Sequence, residues 1–499
     1  MSQAYPQPGQ RRLIVIFSMA SAIMNQIDTT IANVALPHMQ GTTSASREQI
    51  AWVLTSYIIA LAIATPLTGW LAGRFGRRRL MLWSIVGFTA ASLLCGIASN
   101  LDELVLFRLL QGAAGSALVP MSQATLLDIH PPEEHGKAMA VFGLAAIMGP
   151  LAGPVLGGWL TENFSWHWVF LINLPIGLFA FIGLSAVMPD AHDEEKRRFD
   201  LLGFALLAVA IGSFQLMMDR GQLQDWFQST EIWIEATISG LALFLFIVHV
   251  LTAEHPFIRL AIFADRNYVI STLIGFFLGI MIYGVLSLLP PMLSALYGYP
   301  IITIGLVSAP RGLGTFVATL VMGRIINRID ARMLVFVGLI VSSLSALLLS
   351  RMSLDADEWL VIASGVINGM GSSMIFVPLA AIAFTTLPRQ LRNEGAAFGT
   401  LTRYLGSAVG ISVLQTLTYR NEAIVQSRLT EGVRPDNPAV SLGLPNADFS
   451  LPDTLGALSG EIVRQATMVS YVDAFWMLFL VGALASPLAF LMQTKKAKA

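Results

Sequence analysis

Long apolar runs, each about as long as a helix that crosses a bilayer, recur along the whole chain. A membrane helix needs about 20 predominantly apolar residues. We find fourteen runs that meet this requirement. Their approximate bounds are 13–37, 50–72, 79–99, 103–127, 137–160, 167–188, 200–219, 232–251, 267–294, 302–326, 332–351, 357–386, 396–419 and 470–493. The pattern predicts an all-α polytopic membrane protein with 14 transmembrane helices.

The composition indicates that lipid is the solvent for much of the surface. Only 12% of the residues are charged and 55% are hydrophobic, with a mean hydropathy of +0.68. Soluble domains carry about 25% charged residues. The net charge of −1 provides no basic field that would attract nucleic acid. The single cysteine, Cys95, excludes an intramolecular disulfide.

Lysine and arginine set the expected orientation, because short cytoplasmic loops are enriched in both. With the N-terminus inside and the loops alternating, the inside segments hold 20 of the 30 Lys and Arg residues, and the short outside loops hold three. Four more lie in the long segment 420–469, and three lie within spans. This bias predicts an even number of spans with both termini cytoplasmic.

The cytoplasmic loop after span 2 is repeated after span 10. Residues 69–81 read GWLAGRFGRRRLM, and residues 323–335 read GRIINRIDARMLV. An ungapped alignment pairs Gly69 with Gly323, Arg74 with Arg328 and Arg78 with Arg332. Parallel halves of this kind are typical of transporters whose substrate path runs between the halves. We therefore predict an N-terminal six-helix half in 1–190, two inserted helices in 191–260 and a C-terminal six-helix half in 261–499.

Further motifs follow one another in a characteristic order and spacing. They are IDTTIANVALP (27–37), GWLAGRFGRRRL (69–80), LFRLLQGAAGSAL (106–118), GLAAIMGPLAGPVLGG (143–158), WHWVFLINLPIG (166–177), APRGLG (309–314) and LTRYLGSAVG (401–410). Together they resemble the major facilitator superfamily, and within it the fourteen-span drug:proton antiporters of the EmrB type. The resemblance implies the major facilitator fold, arranged as 6+2+6 helices in the bacterial inner membrane. It also implies export of hydrophobic or amphipathic drugs and toxic compounds in exchange for protons.

Two of these motifs contain residues with expected mechanical roles. In span 5, glycines four residues apart let helices touch backbone to backbone, and the prolines between them bend the helix. The resemblance implies that these residues form the hinge of an antiporter, with ordinary tight packing as the alternative. They are Gly149, Pro150, Gly153, Pro154 and Gly157.

The loop motif, with Gly69, Arg74, Gly76 and Arg78, is expected to anchor the cytoplasmic side or to latch it. Gly73 replaces the acidic residue usual in that motif, so a gating ion pair built on that carboxylate is absent.

Asp28 is the acidic residue that lies deepest in a predicted span. At 1.5 Å per residue it lies roughly 22 Å from the cytoplasmic edge, inside a hydrocarbon core about 30 Å thick. Because a charged carboxylate is costly there, we expect Asp28 to bind and release a proton. The alternative is that it only pairs with another helix. The resemblance implies that Arg108 in span 4 controls the charge of Asp28, with an anchoring ion pair to Asp102 or Glu103 as the alternative.

Other side chains within the spans are candidates to line a substrate cavity. Arg311 and Arg403 are intramembrane arginines, for which substrate contact, gating and backbone bracing all remain open. Flexible methionines suit diverse apolar ligands, although most fill gaps between helices. The candidates are Asn25, Gln111, Arg311, Arg403, Met370 and Met374. We see no catalytic constellation, phosphate-binding loop, metal-ligand spacing or cofactor site, and therefore expect no enzyme.

Two other functions are compatible with the same sequence pattern. A major facilitator symporter that imports a small nutrient has the same fold, because fold does not determine the direction of transport. The glycine and proline motif of span 5 argues against it. A non-transporting membrane scaffold would leave Asp28 and Arg108 without a purpose.

The long outside segment 420–469 stands out among short outside loops. Loops longer than about 12–15 residues without their own structure are uncommon and usually functional. Apolar residues at roughly helical spacing predict that span 13 continues outward as an amphipathic helix and that another leads into span 14. The resemblance implies that this segment docks a periplasmic adaptor of the EmrA type, which works with an outer-membrane channel. A cap over the exit or a tether is the alternative. The other expected partners are small lipophilic substrates, protons and membrane lipid.

Overall fold

The structure is a computed structural model that describes residues 5–45, 47–189, 199–326, 328–433 and 451–493. Within these ranges the chain forms helices joined by turns, with no β-strand. Through residue 189 the α-helices are α1 (Pro8–Thr43), α2 (Arg47–Ala64), α3 (Leu67–Phe75), α4 (Arg77–Gly96), α5 (Leu101–Gly115), α6 (Leu118–Ile129), α7 (His135–Asn163), α8 (Trp168–Leu171) and α9 (Asn173–Val187).

The remaining described ranges contain the inserted pair and the C-terminal helices. The pair is α10 (Leu201–Arg220) and α11 (Thr230–Thr252). The others are α12 (Arg266–Tyr297), α13 (Ile301–Ser308), α14 (Pro310–Ile325), α15 (Ala331–Leu349), α16 (Glu358–Thr385), α17 (Arg392–Gly432) and α18 (Pro452–Ala485). The predicted inside cations in 190–198 and 494–499, and the middle of the predicted outside segment at 434–450, lie outside the described residues.

The described helices confirm an all-α polytopic fold. Eleven are long and apolar enough to cross a membrane, and a pair bent by 55°, Trp52–Ala64 with Leu67–Phe75, makes up to twelve. Helices α7 and α17 lie where spans 5 and 13 are predicted, but they are not among these twelve. The number of fourteen spans therefore stays a prediction.

Residues that the sequence assigns to the inside meet at one end of the bundle. Asp128, at the end of α6, accepts hydrogen bonds from Arg77 at 2.7 Å and from Arg392 at 3.1 Å. Arg11, near the start of α1, pairs with Glu134 at 2.5 Å. Asp128 thus ties the N-terminal helices to the first turn of α17. That this end faces the cytoplasm stays a prediction.

Buried apolar clusters show how the parts of the chain pack. One cluster, around Ile31 and Phe170, draws on the chain before α9. Another, around Met292 and Phe475, draws on α12 to α18. A third includes residues of both regions together with Phe246 of α11. Each region therefore has its own apolar core, and a shared core holds the regions and the inserted pair together.

The inserted helices α10 and α11 are fixed at both ends. Asp200, before α10, accepts hydrogen bonds from the backbone N–H of Gly203 at 2.8 Å and from the ring of His249 at 2.9 Å. Burial raises the pKa of the Asp200 carboxyl, but its hydrogen bonds outweigh burial and hold the pKa below its ordinary value. At the other end, Trp226 donates a hydrogen bond to Thr416 of α17 at 2.9 Å. The pair therefore reaches across to the C-terminal helices.

Helices α17 and α18 continue side by side beyond the predicted spans 13 and 14. They contain 41 and 34 residues, which corresponds to about 60 and 50 Å, against a hydrocarbon core of about 30 Å. Thr467 donates to Glu422 at 2.6 Å, and Asn421 donates to Asp473 at 2.6 Å. The predicted helical continuations are confirmed for residues 420–432 and 452–469, which the structure describes.

Replacing Asp128 with asparagine should loosen the end of the bundle at which it pairs with Arg77 and Arg392, because an amide carries no charge to hold two guanidinium groups. A cysteine introduced at Ser271 lines a cavity between the N-terminal and C-terminal helices. Its labelling reports whether that end of the bundle opens and makes the cavity accessible. In inside-out vesicles, Asp128→Asn should speed its labelling by an impermeant maleimide roughly 5-fold, as expected for about 1 kcal/mol.

The matched control for that experiment is Asp330→Asn, which removes a more exposed pair with Arg332. Its labelling rate should equal that of the unchanged protein. An unchanged rate in Asp128→Asn would show that these ion pairs do not hold this end closed.

Candidate functional site

A fully buried ion pair lies inside the N-terminal helices. Asp28 of α1 and Arg108 of α5 are both 0% exposed. The Nη1 atom of Arg108 donates to Oδ2 of Asp28 at 2.6 Å. Among the described residues Arg108 pairs with Asp28 of α1 and not with Asp102 or Glu103, so the ion pair forms across helices rather than along α5. The structure therefore brings together the two residues that the sequence singles out.

Three neutral side chains complete the surroundings of the carboxylate. Its Oδ1 accepts hydrogen bonds from Gln111 of α5 and from Asn173 of α9, each at 2.9 Å. Both amides also donate to the hydroxyl of Ser92 in α4, at 2.7 and 3.3 Å. Helices α5 and α9 thus direct amide donors at one carboxylate on α1, and Ser92 of α4 holds both amides in place.

Arg108 is held by an aromatic ring and a backbone carbonyl as well as by the carboxylate. Its guanidinium carbon lies 4.0 Å from the centre of the Tyr57 ring, a cation–π distance. Its Nε donates to the carbonyl of Val53 at 3.1 Å, and Nη1 also donates to Gln111 at 2.7 Å. Its Nη2 is buried without a hydrogen-bond partner in the described structure. Arg108 therefore has a donor free for a different arrangement.

Neutralising either partner of this buried ion pair would cost free energy. Breaking a buried ion pair by neutralising one partner costs about 3–5 kcal/mol, because it leaves the other charge uncompensated. If Asp28 gains a proton, Arg108 must find other partners or water. Protonation of Asp28 and movement of α5 against α1 are therefore energetically linked.

The same turn of α1 also contacts the C-terminal helices. Asn25 donates to the hydroxyl of Tyr57 at 3.1 Å and so belongs to the N-terminal network. Gln26, two residues before Asp28, is 3% exposed and lies 3.5 Å from the hydroxyl of Tyr404 in α17. The hydroxyl of Tyr283 in α12 also hydrogen-bonds to Gln26. Asp28 and the boundary between the two regions therefore share one helical turn.

The glycines of the span 5 motif let α7 pack directly on this part of α1. A Cβ on Gly149 would lie 2.5 Å from the Cβ of Gln26. A Cβ on Gly153 would collide with Thr30, and one on Gly157 would lie 2.7 Å from the carbonyl oxygen of Ile31. Pro154 is half-buried, and the side chain of Pro150 lies outside the described structure. Tight packing is therefore present, and the hinge role stays a prediction.

Arg403 lines a cavity between the two regions. The cavity is lined by α12, α16 and α17 together with Gln123 of α6. The guanidinium carbon of Arg403 lies 5.5 Å from the centre of the Phe376 ring. No ion-pair partner for Arg403 is found among the described residues. A mostly apolar cavity with few polar groups is typical of a small-molecule site.

Arg311 lies in a separate cavity within the C-terminal helices. It is 5% exposed, and its Nε and Nη2 atoms are buried without hydrogen-bond partners in the described structure. Neither candidate methionine lines either cavity. Met370 is 37% exposed, and Met374 packs in a small apolar cluster with Ala140 and Met322.

The loop motif lies at the end of the bundle where Asp128 pairs with Arg77. A Cβ on Gly69 would lie 3.1 Å from Glu394 of α17, so the motif contacts the C-terminal helices closely. Gly76 has a φ of 82°, a left-handed conformation that separates α3 from α4. Arg78 donates to the carbonyl of Ser185 at 2.6 Å, whereas Arg74 is exposed. The carboxylate that holds the two regions together here is Asp128, rather than one at position 73.

Several network residues escaped the sequence analysis. Asn173 lies in the quoted motif WHWVFLINLPIG, so an amide within an otherwise apolar span was an available signal. Gln26 follows Asn25 directly in α1, so an amide within an apolar span was an available signal there as well. Ser92, Tyr57 and Tyr283 are common residue types in membrane helices, and their contacts arise only from packing.

Comparison with known proteins decides the family. The sequence profile of the Major Facilitator Superfamily matches residues 18–411. The chain belongs to the major facilitator superfamily. Within it, the chain is 34% identical to the multidrug export protein EmrB of Escherichia coli (strain K12) over 494 residues, which cover 96% of each chain. It is 36% identical to the fatty acid resistance protein FarB of Neisseria gonorrhoeae, and the alignment covers 94% of each chain.

A solved structure shows the same fold at a much lower identity. The proton:xylose symporter XylE matches this major facilitator protein with a TM-score of 0.63 and 13% identity, over 97% of this chain and 95% of that chain. At this identity the likeness concerns the fold alone. The resemblance to EmrB-like transporters is confirmed, and the protein is an integral membrane transporter of the bacterial inner membrane.

Gly153→Ala should destabilise this major facilitator protein, because the added methyl group collides with α1 next to Asp28. Overpacking of this kind typically costs about 1–3 kcal/mol, and we expect a fall of several degrees in the thermal unfolding temperature in detergent.

Gly240→Ala in α11 is the matched control, since a Cβ there meets nothing within 4 Å. Alanine favours the helix over glycine by about 1 kcal/mol, so this variant should be as stable as the unchanged protein or more so. Equal unfolding temperatures for the two variants would contradict the close packing of α7 on α1.

Proposed function

We propose that this protein exports hydrophobic and amphipathic drugs and other toxic compounds in exchange for protons. The buried ion pair of Asp28 and Arg108 supports the proposal most directly. Intramembrane charges are costly and mark ion or proton pathways. The relatives named for multidrug export and for fatty acid resistance, similar over nearly the whole chain, support export as the direction.

Asp28 carries the proton in this proposal. In the charged state it is neutralised by Arg108 and surrounded by the amides of Gln111 and Asn173. When a proton arrives, the attraction to Arg108 is lost and α5 is free to shift relative to α1. Such a shift changes the packing of α7 and the contact of Gln26 with Tyr404, and so biases the rocking of the two halves.

Substrates bind in the cavity between the halves. Phe376, Leu278 and Leu379 provide apolar walls, while Gln123 and Arg403 provide polar groups from opposite sides. This combination suits lipophilic compounds with one polar or charged group. It does not suit a sugar, which requires many buried hydrogen-bond partners.

Asp28→Asn should abolish proton-driven transport. In proteoliposomes with an imposed pH gradient, the unchanged protein should concentrate a lipophilic dye, whereas Asp28→Asn should show only the leak of empty liposomes, because an amide binds no proton reversibly. Glu231→Gln, which alters an exposed pair with Arg220, is the control and should keep transport.

Normal pH-dependent dye transport by Asp28→Asn would refute the assignment of the proton carrier. Saturable uptake of a sugar or amino acid by the unchanged protein, with no dye transport, would refute export of drugs.

The paired extensions of α17 and α18 support a further proposal about partners. We propose that they dock a periplasmic adaptor of the EmrA type, which leads to an outer-membrane channel. Several apolar side chains on the extensions are exposed, among them Ile424 at 50%, Leu455 at 48% and Leu429 at 37%. Exposed apolar groups on a protruding, otherwise polar hairpin are typical of a protein interface.

Ile424→Glu combined with Leu455→Glu should release the adaptor while sparing the pump. We expect transport in proteoliposomes to be unchanged, and adaptor co-purification and cellular drug resistance to fall. Gln465→Glu, at an exposed polar position on α18, is the control. Retained resistance and retained co-purification in the double variant would show that the extensions are not the docking surface.

A further inference from the structure

The two halves of the transporter differ in how they neutralise buried charge. In the N-terminal half, Arg108 is neutralised by Asp28. In the C-terminal half, Arg311 is buried, but helices α12 to α16 contain a single acidic residue, Glu358, which lies at the first position of α16. Arg311 is the ninth residue of the apolar segment Thr303–Ile325, which places it roughly 12 Å along the helix from one end. Glu358 is therefore at the helix end, away from the middle of the span.

The internal repeat identifies the position in the N-terminal half that corresponds to Arg311. The ungapped alignment that pairs Gly69 with Gly323 also places Arg311 opposite Tyr57. The packing agrees, because a side chain on Gly112 would collide with the carbonyl of Tyr57, and a side chain on Gly369 would collide with that of Arg311. The second half thus has a cation where the first half has the aromatic ring that faces Arg108.

The surroundings of Arg311 are polar, enclosed and incompletely satisfied. Its cavity is shared with Asn368, Ser345 and Ser364. The Oδ1 atom of Asn368 and the Oγ atom of Ser345 are buried without hydrogen-bond partners in the described structure, as are two nitrogens of Arg311. The amide NH₂ of Asn368 donates to Ser342 at 3.4 Å. The cavity therefore offers guanidinium and hydroxyl donors that no described residue uses.

The rest of the cavity is apolar and has a partly exposed rim. Val285, Leu289, Leu349 and Val361 are each less than 9% exposed. Pro290 on the rim is half-buried, next to the second proline within α12. A ligand here would place one polar group at Arg311 and an apolar body against α12 and α16.

We propose that this cavity binds the carboxylate of an anionic amphiphile, whose negative charge neutralises Arg311. An arginine does not lose its proton to avoid burial of charge, and no described carboxylate reaches Arg311, so a bound anion would supply the missing negative charge. A carboxylate fits the fork of a guanidinium group and accepts from a hydroxyl as well. The proposal deepens the proposed export function by assigning a substrate class and a subsite to the C-terminal half.

The test compares two probes that differ in one group. A dansylated long-chain carboxylate and its primary amide are titrated into the full-length protein in detergent, and binding is followed by dansyl fluorescence. The unchanged protein should prefer the carboxylate by about 10- to 100-fold, the range for a buried hydrogen bond to a charged group. No preference for the carboxylate would overturn the proposal.

Three substitutions assign the preference to this cavity. Asn368→Asp supplies an internal carboxylate and should remove the preference while amide binding persists, which also shows that the variant is folded. Arg311→Gln should remove the preference as well, whereas Arg311→Lys should retain part of it. Asn368→Ala should weaken both probes alike, since it adds no charge. A carboxylate preference that survives Asn368→Asp and Arg311→Gln would overturn its assignment to the cavity around Arg311. A preference that disappears only in Arg403→Gln would do the same.

Failure of the export proposal gives a different result. Gradient-driven uptake of tetraphenylphosphonium, a lipophilic cation, is measured with the same protein in proteoliposomes. If the carboxylate preference holds and the pH gradient drives uptake of neither tetraphenylphosphonium nor the dansylated carboxylate, the subsite stands and the proposed export function falls. If uptake of the cation is proton-driven but the protein does not prefer the carboxylate probe, the export function stands and the subsite falls.

Discussion

The need to neutralise charge inside the membrane governs the arrangement of the N-terminal half. Asp28 and Arg108 satisfy it together at 2.6 Å, with neither side chain exposed. Breaking a buried pair costs about 3–5 kcal/mol, whereas an exposed pair contributes about 0–1 kcal/mol. Gln111 of α5 and Asn173 of α9 donate to the carboxylate, and Ser92 of α4 accepts from both amides. The surroundings of Asp28 therefore depend on the packing of four helices.

That dependence extends to the C-terminal half through two features of α1. Glycines of α7 touch the turns on either side of Asp28, and α7 also packs against C-terminal helices, where Gly143 adjoins Phe376. Gln26 contacts the hydroxyl of Tyr404 in α17. Because close-packed interiors move between discrete arrangements rather than deform gradually, a change at Asp28 reaches the boundary between the halves through direct contact.

The sequence predicted the parts of this structure that depend on local pattern. Apolar length located the helices, and motif spacing indicated the major facilitator fold and the importance of Asp28 and Arg108. It did not locate Ser92 or Tyr57, since a serine or a tyrosine in an apolar helix is common and acquires meaning from its neighbours in space. Asp128 lies at a span end and had no visible partner, because Arg392, which contacts it, lies far along the chain.

The internal repeat gives both halves a similar arrangement of helices but not the same charges. Arg108 lies over the ring of Tyr57, whereas the position equivalent to Tyr57 is itself Arg311. Among the described residues, Arg108 has a carboxylate partner in Asp28, whereas Arg311 and Arg403 have none. Under the two proposals above, a proton at Asp28 and a substrate carboxylate at Arg311 do not compete for one group. Exchange of proton for substrate would then depend on coupled movement of the halves, for which α7 and Gln26 provide the contacts.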